Sequence, residues 1–375
     1  MTCKVGIIGG GPSGCACAYW LKDRCDVTVF DYGSPLRTIL PTGGGRCNLA
    51  NAEFDFKELA KNYPRGEKFL YSVFSRFSTA DTLNFFQELG VETYTQSDMR
   101  IFPKSDSSKD VREKLLASLK NVRFIKERVL RVNESPLTVV TDMGSYVFDK
   151  VVIATGGHNE YDCAKFLNHN IISPKPALTS LKTKENFKQL AGVSVKNVTG
   201  QGLSGDILFT HNGVSGPLIY KISSIKARDS FPYEICLNLC QEFDLQAEFN
   251  SNPHKSVKNV LSEYVPKSLA EYILESISVS ADTKSHQING KIRDELLNKL
   301  HNFKITIVSP TKGGETVTCG GVDLKTVDPK TLQSNIVKDV YFCGEVLDID
   351  GFCGGFNLQN CWSNAYCVAQ SILLG

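Results

Sequence analysis

The stretch KVGIIGGGPSGCACAYWL, Lys4 to Leu21, decides the fold. Lys4–Gly9 is a short apolar run rich in Val and Ile, the pattern of a parallel strand buried on both faces. The run stops at Gly9-Gly10-Gly11-Pro12-Ser13-Gly14. Cys15–Leu21 is then small and apolar, turning polar at Lys22-Asp23, as in a helix packed on a sheet. Asp26–Phe30, DVTVF, is a second strand, and Asp31 follows it. The segment therefore reads Gly9-x-Gly11-x-x-Gly14 between a strand and a helix, with an acid 17 positions beyond the last glycine. Gly9 permits the tight turn, Gly11 lets backbone approach a pyrophosphate, and Gly14 lets helix and strand pack closely. Pro12 and Ser13 complete the turn. The helix N-terminus offers N–H groups and partial positive charge to phosphates. Asp31 can accept hydrogen bonds from an adenosine ribose, which points to a free 2′-hydroxyl there.

A GxGxxG without context means little, and the chain carries its own decoy, Gly200-Gln201-Gly202-Leu203-Ser204-Gly205. A strand pattern, not a helix, follows it, so it reads as a turn between strands. Gly43-Gly44-Gly45-Arg46-Cys47-Asn48 is different. Three successive glycines are costly to order and make sense where backbone approaches a ligand, and Arg46 and Asn48 supply donors. Three helical patterns follow between Asp55 and Gly90. Phe69, Val73 and Phe77, then Leu83, Phe86 and Leu89, form their expected core faces. Ser108–Leu119 predicts another helix, and several short strands follow between Val122 and Val140. Tyr146–Ala154 predicts a strand running into Ala154-Thr155-Gly156-Gly157, a chain passing close under a bound dinucleotide.

From about Pro174 the character changes. Leu178–Gly216 is rich in Thr, Ser, Val and Gly with strand-like stretches, Val257–Leu300 is mostly helical, Phe303–Val308 alternates again, and Gly313-Gly314 marks a turn. The first pattern then returns: Val340–Cys343 is a strand closed by Gly344-Glu345, Asp348 and Asp350 follow, and Gly354-Gly355-Phe356-Asn357-Leu358 opens a helix reaching Leu373. A cofactor needing both ends of the chain is larger than a nicotinamide held by one βαβ unit. FAD fits, with the ADP half on the N-terminal unit and the ribityl chain and ring on the C-terminal one. The expected fold is α/β: a Rossmann-like FAD-binding domain from 1–172 and 325–375, interrupted by an inserted domain, 173–324, that is β-barrel-like over 173–250 and 303–324 and helical over 251–302.

Composition, 42% hydrophobic and 22% charged over 375 residues, is that of a globular enzyme of two or three domains. Lys plus Arg is 42 against 40 for Asp plus Glu, so nothing in the overall charge favours nucleic acid or an anionic membrane as main partner. No apolar run is long enough to span a bilayer. The 13 cysteines lack zinc or CxxC spacing, no metal site is expected, and the start of the chain has no signal-peptide pattern. Reduced thiols in the cytoplasm are the expectation.

Together these motifs closely resemble the BaiN-like (HI0933-like) flavoproteins of the glutathione-reductase-type FAD superfamily. The resemblance rests on the N-terminal glycine motif, GGGRCNLAN (Gly43–Asn51), IFP (Ile101–Pro103), ATGG (Ala154–Gly157), LFTHNGVSGP (Leu208–Pro217), GGV (Gly320–Val322) and GEVLDIDGFCGGFNLQNCW (Gly344–Trp362). It implies a two-lobed FAD domain with the barrel and helical insertion, and flavin redox chemistry. Carried to matching positions, it implies that Gly9, Gly11, Gly14 and Asp31 hold the ADP half and that Gly45, Arg46, Cys47 and Asn48 lie near the cofactor. Val129 is a candidate backbone contact to adenine, Glu345 a partner of the ribityl chain, and Gly354–Leu358 a helix N-terminus at the flavin N1–C2 edge. Leu36-Arg37-Thr38 departs from a Gly-Arg-Lys common before the triple-glycine loop.

A helix N-terminus at N1 favours the anionic reduced flavin, so hydride transfer at flavin N5 is expected, in a cleft between the FAD domain and the insertion. His211 is a candidate acid or base, or else a buried histidine satisfied by backbone. Cys47 is a candidate redox thiol, or else a small residue packed in a tight loop. Asp348 and Asp350 form a paired-carboxylate site, or bind hydroxyls, or face solvent. Three functions stay open: an NAD(P)H-dependent reductase of a small organic molecule with the nicotinamide bound transiently, an oxidase of a small amine or aminoketone releasing hydrogen peroxide, and a non-catalytic flavin-bearing sensor.

Overall fold

The computed structural model describes residues 2–157, 161–311 and 317–375. The Gly313-Gly314 turn lies outside the described residues. The chain forms two units, one from residues 1–175 and 317–375 and the other from 176–316.

The first unit is built on a five-stranded sheet of β1 (Lys4–Ile8), β2 (Asp26–Phe30), β3 (Arg123–Ile125), β4 (Lys150–Ile153) and β5 (Val340–Phe342), in the order β5-β4-β1-β2-β3. Every pair is parallel, with Ile7 opposite Val29 and Val152, and Val152 opposite Tyr341. Ile7, Val29, Val151, Val152 and Phe342 are fully buried, which is why these strands read as unbroken apolar runs rather than alternating ones. Helix α1 (Pro12–Leu21) follows β1 and packs along α2 (Phe356–Leu374), the last helix of the chain. Cys15, Ala16, Cys17 and Ala18 are fully buried, and these small side chains let α1 sit deep in the core. Gly14 is obligatory there: a Cβ would lie 1.9 Å from the Gly9 carbonyl oxygen.

Three helices, Phe56–Ala60, Glu67–Phe74 and Thr79–Glu88, cover one side of this core. In the third, Phe85 and Phe86 are buried, whereas Leu83 and Leu89 are half-buried. The expected Leu83/Phe86/Leu89 face is rotated because Trp20 draws Phe85 in, with ring centroids 4.8 Å apart.

The second unit is a closed six-stranded barrel whose strands run, in spatial order, Leu181–Thr183, Gly213–Ser215, Leu203–Thr210, Ser194–Gly200, Tyr233–Asn238 and Phe303–Pro310. The decoy glycines turn the chain between two of them. Phe187, Phe209, Ile235 and Ile305 fill the interior. Helices Leu245–Ser251, Val257–Leu261, Lys267–Ser276 and Gly290–His301 form the helical excursion, which starts earlier than the expected 251. The insertion also ends earlier than expected. Val317–Val322 pairs with Ile171–Ala177 and belongs to the first unit, because Gly320 packs directly on the carbonyls of Ile172 and Ser173. Among the described residues no helix is long and apolar enough to cross a membrane.

His169 ties the return of the chain to the first unit. It is buried, with Nδ1 2.8 Å from Thr326 Oγ1 and Nε2 2.8 Å from Ser334 Oγ. Burial pushes its pKa down to about 4, so the imidazole is neutral in the folded protein. The unfolded chain takes up this proton below about pH 6.5 and the folded one does not, so stability falls as pH drops from 6.5 toward 4. Urea unfolding should show a loss of about 2 kcal/mol from this residue between pH 7 and pH 5. His169→Asn should flatten that part of the profile, and an unchanged profile would remove His169 as its source.

Candidate active site

In open parallel sheets, ligands sit outside the carboxyl ends of the strands. Here three adjacent strands, β1, β4 and β5, deliver Gly9–Ser13, Ala154–Gly156 and Gly344 to that edge. The segments touch. A Cβ at Gly9 would lie 2.3 Å from the Ala154 carbonyl oxygen, and one at Gly344 would lie 2.0 Å from Ser13 Oγ. The two ends of the sequence therefore meet at the first turn of α1. That turn has Gly11 as N-cap, Pro12 inside it and no side-chain cap. Positions Gly11 and Gly156 carry no Cβ, and a Cβ at Gly156 would meet nothing within 4 Å. Backbone left bare beside an uncapped helix start suits a pyrophosphate. Asp31 accepts from Gly10 N (2.8 Å) and Gly33 N (2.7 Å), one bond per carboxylate oxygen. Its position is thus fixed while each oxygen keeps acceptor capacity for a ribose. Asp31 N donates to Ile125 O at 3.0 Å, and Val129 begins the next strand, Val129–Glu134, shortly after Ile125.

The triple-glycine loop and the start of α2 form the second half. Gly43, Gly44 and Gly45 have φ of +59°, +70° and +87°, a left-handed run that only glycine adopts without strain. Two residues on, past Arg46, Cys47 is again left-handed at φ +64°. Arg46 lies over the Phe102 ring, 4.1 Å from its centroid, and its Nε donates to Gly43 O (3.3 Å). The Asn48 amide donates to Ala50 O (3.1 Å) and accepts from Gly355 N (2.9 Å), so it serves the N-cap of α2. Further bonds hold the segments around it. Asn51 Nδ2 donates to Gly354 O (3.1 Å), Tyr63 Oη to Phe356 O (2.5 Å) and Trp362 Nε1 to Leu49 O (3.0 Å). Asn357 pairs both ways with the Gly351 backbone at 2.8 Å. Glu345 Oε1 accepts from Thr318 N at 2.8 Å, close beside Gly157. Leu358 is half-buried against the core.

Two sequence expectations change. Asp350 is fully buried in a bidentate ion pair with Arg65, so Asp348 and Asp350 do not act as a carboxylate pair. Asp348 is instead half-exposed, with its N–H donating to Val322 O (3.1 Å). His211 is exposed at the turn between strands Leu203–Thr210 and Gly213–Ser215 of the second unit, not buried. Cys47 is fully buried, and burial pushes its thiol up to about 12, so it is a protonated thiol near neutral pH. Tyr63, Arg65 and Trp362 escaped the sequence reading. Trp362 sat inside a quoted motif, but nothing local marks Tyr63 or Arg65 as partners of residues nearly three hundred positions away.

This geometry is that of a flavin-dependent oxidoreductase. The chain matches the model of the HI0933-like protein Rossmann domain over residues 3–371, and it belongs to this family of FAD-dependent oxidoreductases. It is 30% identical to a ribosomal RNA dihydrouridine synthase of Haemophilus influenzae, over 98% of this chain and 97% of that one. It is 29% identical to the ribosomal RNA dihydrouridine synthase of Escherichia coli, over 98% and 97%. A 3-dehydro-bile acid delta(4,6)-reductase of Clostridium scindens is 27% identical, over 98% of each chain.

Arg65→Met should cost about 3–5 kcal/mol, because it strands the buried Asp350 carboxylate. Arg65→Met with Asp350→Leu should recover most of that loss. Chemical denaturation of the parent and both variants checks this, and equal losses in the single and double variants would show that the pair is not coupled.

Proposed function

We propose that this protein uses NAD(P)H to saturate a carbon–carbon double bond conjugated to a carbonyl, and that its substrate is a uridine of ribosomal RNA. The observation that carries the reading is the end-to-end similarity to two ribosomal RNA dihydrouridine synthases. The name of the third relative describes the same bond chemistry on a different molecule: a 3-dehydro delta(4,6) steroid, like a uracil ring, has an alkene conjugated to a carbonyl. This reading takes ribosomal RNA, for which the overall charge gave no reason, in place of the small organic molecule of the sequence expectation.

Bound FAD supplies the hydride-carrying chemistry. The chain's own residues hold and polarise the cofactor. Gly9, Gly11, Pro12, Ser13 and Gly14 receive the pyrophosphate at the start of α1, Asp31 the adenosine ribose, and the Val129 backbone the adenine. Ala154, Thr155 and Gly156 pass beneath it, and Gly344, Glu345 and Asp348 face the ribityl chain. Gly45, Arg46, Cys47 and Asn48 border the ring, with Gly354, Gly355, Phe356, Asn357 and Leu358 presenting the α2 N-terminus to its N1–C2 edge. A helix start there is worth typically 0.3–1 kcal/mol toward negative charge, and about 2 kcal/mol when partly buried. Cys47 fills its loop as a packed thiol.

Anaerobic addition of NADPH, then NADH, to the FAD-loaded protein should bleach the visible flavin band. The reduced protein should then form dihydrouridine in unmodified ribosomal RNA, read by mass spectrometry of the digested nucleosides. Bleaching with no dihydrouridine, but with turnover of a steroid dienone, would move the substrate to the small-molecule class. No bleaching, with peroxide released from a small amine, would favour an oxidase. Cys47→Ser should keep full turnover.

A further inference from the structure

His211, the candidate acid or base of the sequence, lies in a cationic pocket on the barrel. Strand Leu181–Thr183 turns Leu181 into the barrel core, so the alternation of the strand puts Lys182 on the other face, and Lys184 follows just past its end. Lys188 opens a short helical turn anchored by the buried Phe187 and Leu190 on either side. The His211-Asn212 turn is tethered to the same strand, with Thr183 N donating to Asn212 O at 3.3 Å. Together these side chains line a concavity of about 400 Å³.

Its lining carries three lysines against one acid, a net positive charge. Among the described residues, none of Lys182, Lys184 and Lys188 forms an ion pair. The one acid in the lining, Glu185, is turned inward: both of its carboxylate oxygens accept from Thr306 N at 3.0 Å. Three lysines thus line one concavity with a histidine and an amide, while the neighbouring carboxylate accepts from backbone. Lys184, Lys188, His211 and Asn212 are all exposed, so the pocket is open along its side and can take a polymer passing through.

We propose that this pocket binds backbone phosphates of RNA, with Lys182, Lys184 and Lys188 as the phosphate contacts and His211 and Asn212 as hydrogen-bonding neighbours. The inference rests on the reading of ribosomal RNA as substrate and assigns that substrate a site on the barrel. Phosphate contacts position a nucleic acid without reading its sequence, and each one adds to the salt dependence of binding.

The test uses the full FAD-loaded chain and a fluorescein-labelled, unmodified ribosomal RNA fragment, with binding followed by anisotropy over a range of salt. Lys182→Ser, Lys184→Ser and Lys188→Ser combined should weaken binding at least about tenfold at low salt. The log–log salt slope should become shallower by about 2, from roughly 0.7 per single-strand phosphate contact. The rate of flavin bleaching by NADPH should not change, and the triple Lys→Arg variant should bind like the parent. Unchanged affinity and slope in the serine variant would overturn the proposal. So would a raised KM for NADPH with RNA binding intact, since the pocket would then hold a dinucleotide phosphate. If the parent protein forms dihydrouridine while the serine variant binds RNA normally, the pocket fails and the substrate reading survives. If the parent neither binds RNA nor forms dihydrouridine, both fall.

Discussion

The pairing of β5 beside β4 is the constraint on which the rest of the structure depends. A parallel strand cannot be joined to its neighbour by a tight turn, and it must be buried on both faces. Val340–Phe342 satisfies both conditions only by crossing back to Lys150–Ile153 after the whole insertion has been made. The strand has three residues and few hydrogen bonds, so sheet pairing alone holds it weakly. Gly344 resting on Ser13, His169 bridging Thr326 and Ser334, and α2 packed along α1 supply the rest. The insertion tolerates being placed there because it closes its own barrel around its own core. Long-range parallel pairing of this kind is slow to form, and an insertion with its own closed core keeps the chain between the two ends compact.

The same constraint explains the polar core around the start of α2. A helix beginning inside the protein leaves its first N–H groups and the preceding carbonyls to be satisfied. Asn48 and Asn51 do this from one side and Tyr63 bonds the Phe356 carbonyl, Asn357 ties the helix start to the Gly351 backbone, and Trp362 of the helix satisfies the Leu49 carbonyl. Each such bond is worth about 1 kcal/mol net, yet leaving its partner unsatisfied costs about 1–3 kcal/mol. The network therefore acts mainly by permitting a single loop conformation. A preorganised helix start is what an electrostatic contribution to cofactor chemistry requires, since nothing then reorganises during the reaction.

The parts legible in the sequence were those whose physics is local. Gly9, Gly11 and Gly14 with Asp31 announced their turn because the spacing follows from strand, helix and pyrophosphate dimensions. The return of the pattern at Val340 and Gly354 announced a cofactor shared between both ends. The decoy at Gly200–Gly205 was recognisable because a strand followed it. What stayed hidden was set by tertiary partners. Phe85 displaced Leu83 and Leu89 through Trp20, a residue of another helix. Asp350 looked like half of a carboxylate pair because Arg65, which neutralises it, lies 285 positions away. Val317–Val322 read as insertion until its partner strand at Ile171–Ala177 was visible.

Net charge is where the sequence reading was most exposed to error. A balance of 42 basic against 40 acidic residues describes the field far from the molecule, where solvent and salt average the contributions over a Debye length of about 8 Å. Recognition of a phosphodiester happens at contact distance, where the disposition of a few groups decides. In the barrel, one acid, Glu185, whose carboxylate accepts from the Thr306 amide, lines a pocket with three lysines that form no ion pair among the described residues. A near-neutral chain can therefore carry a cationic pocket without any sign of it in composition. A sum over residues argues against a nucleic-acid partner only when the acids and bases are interspersed at the scale of the contact, and that is a property of the fold.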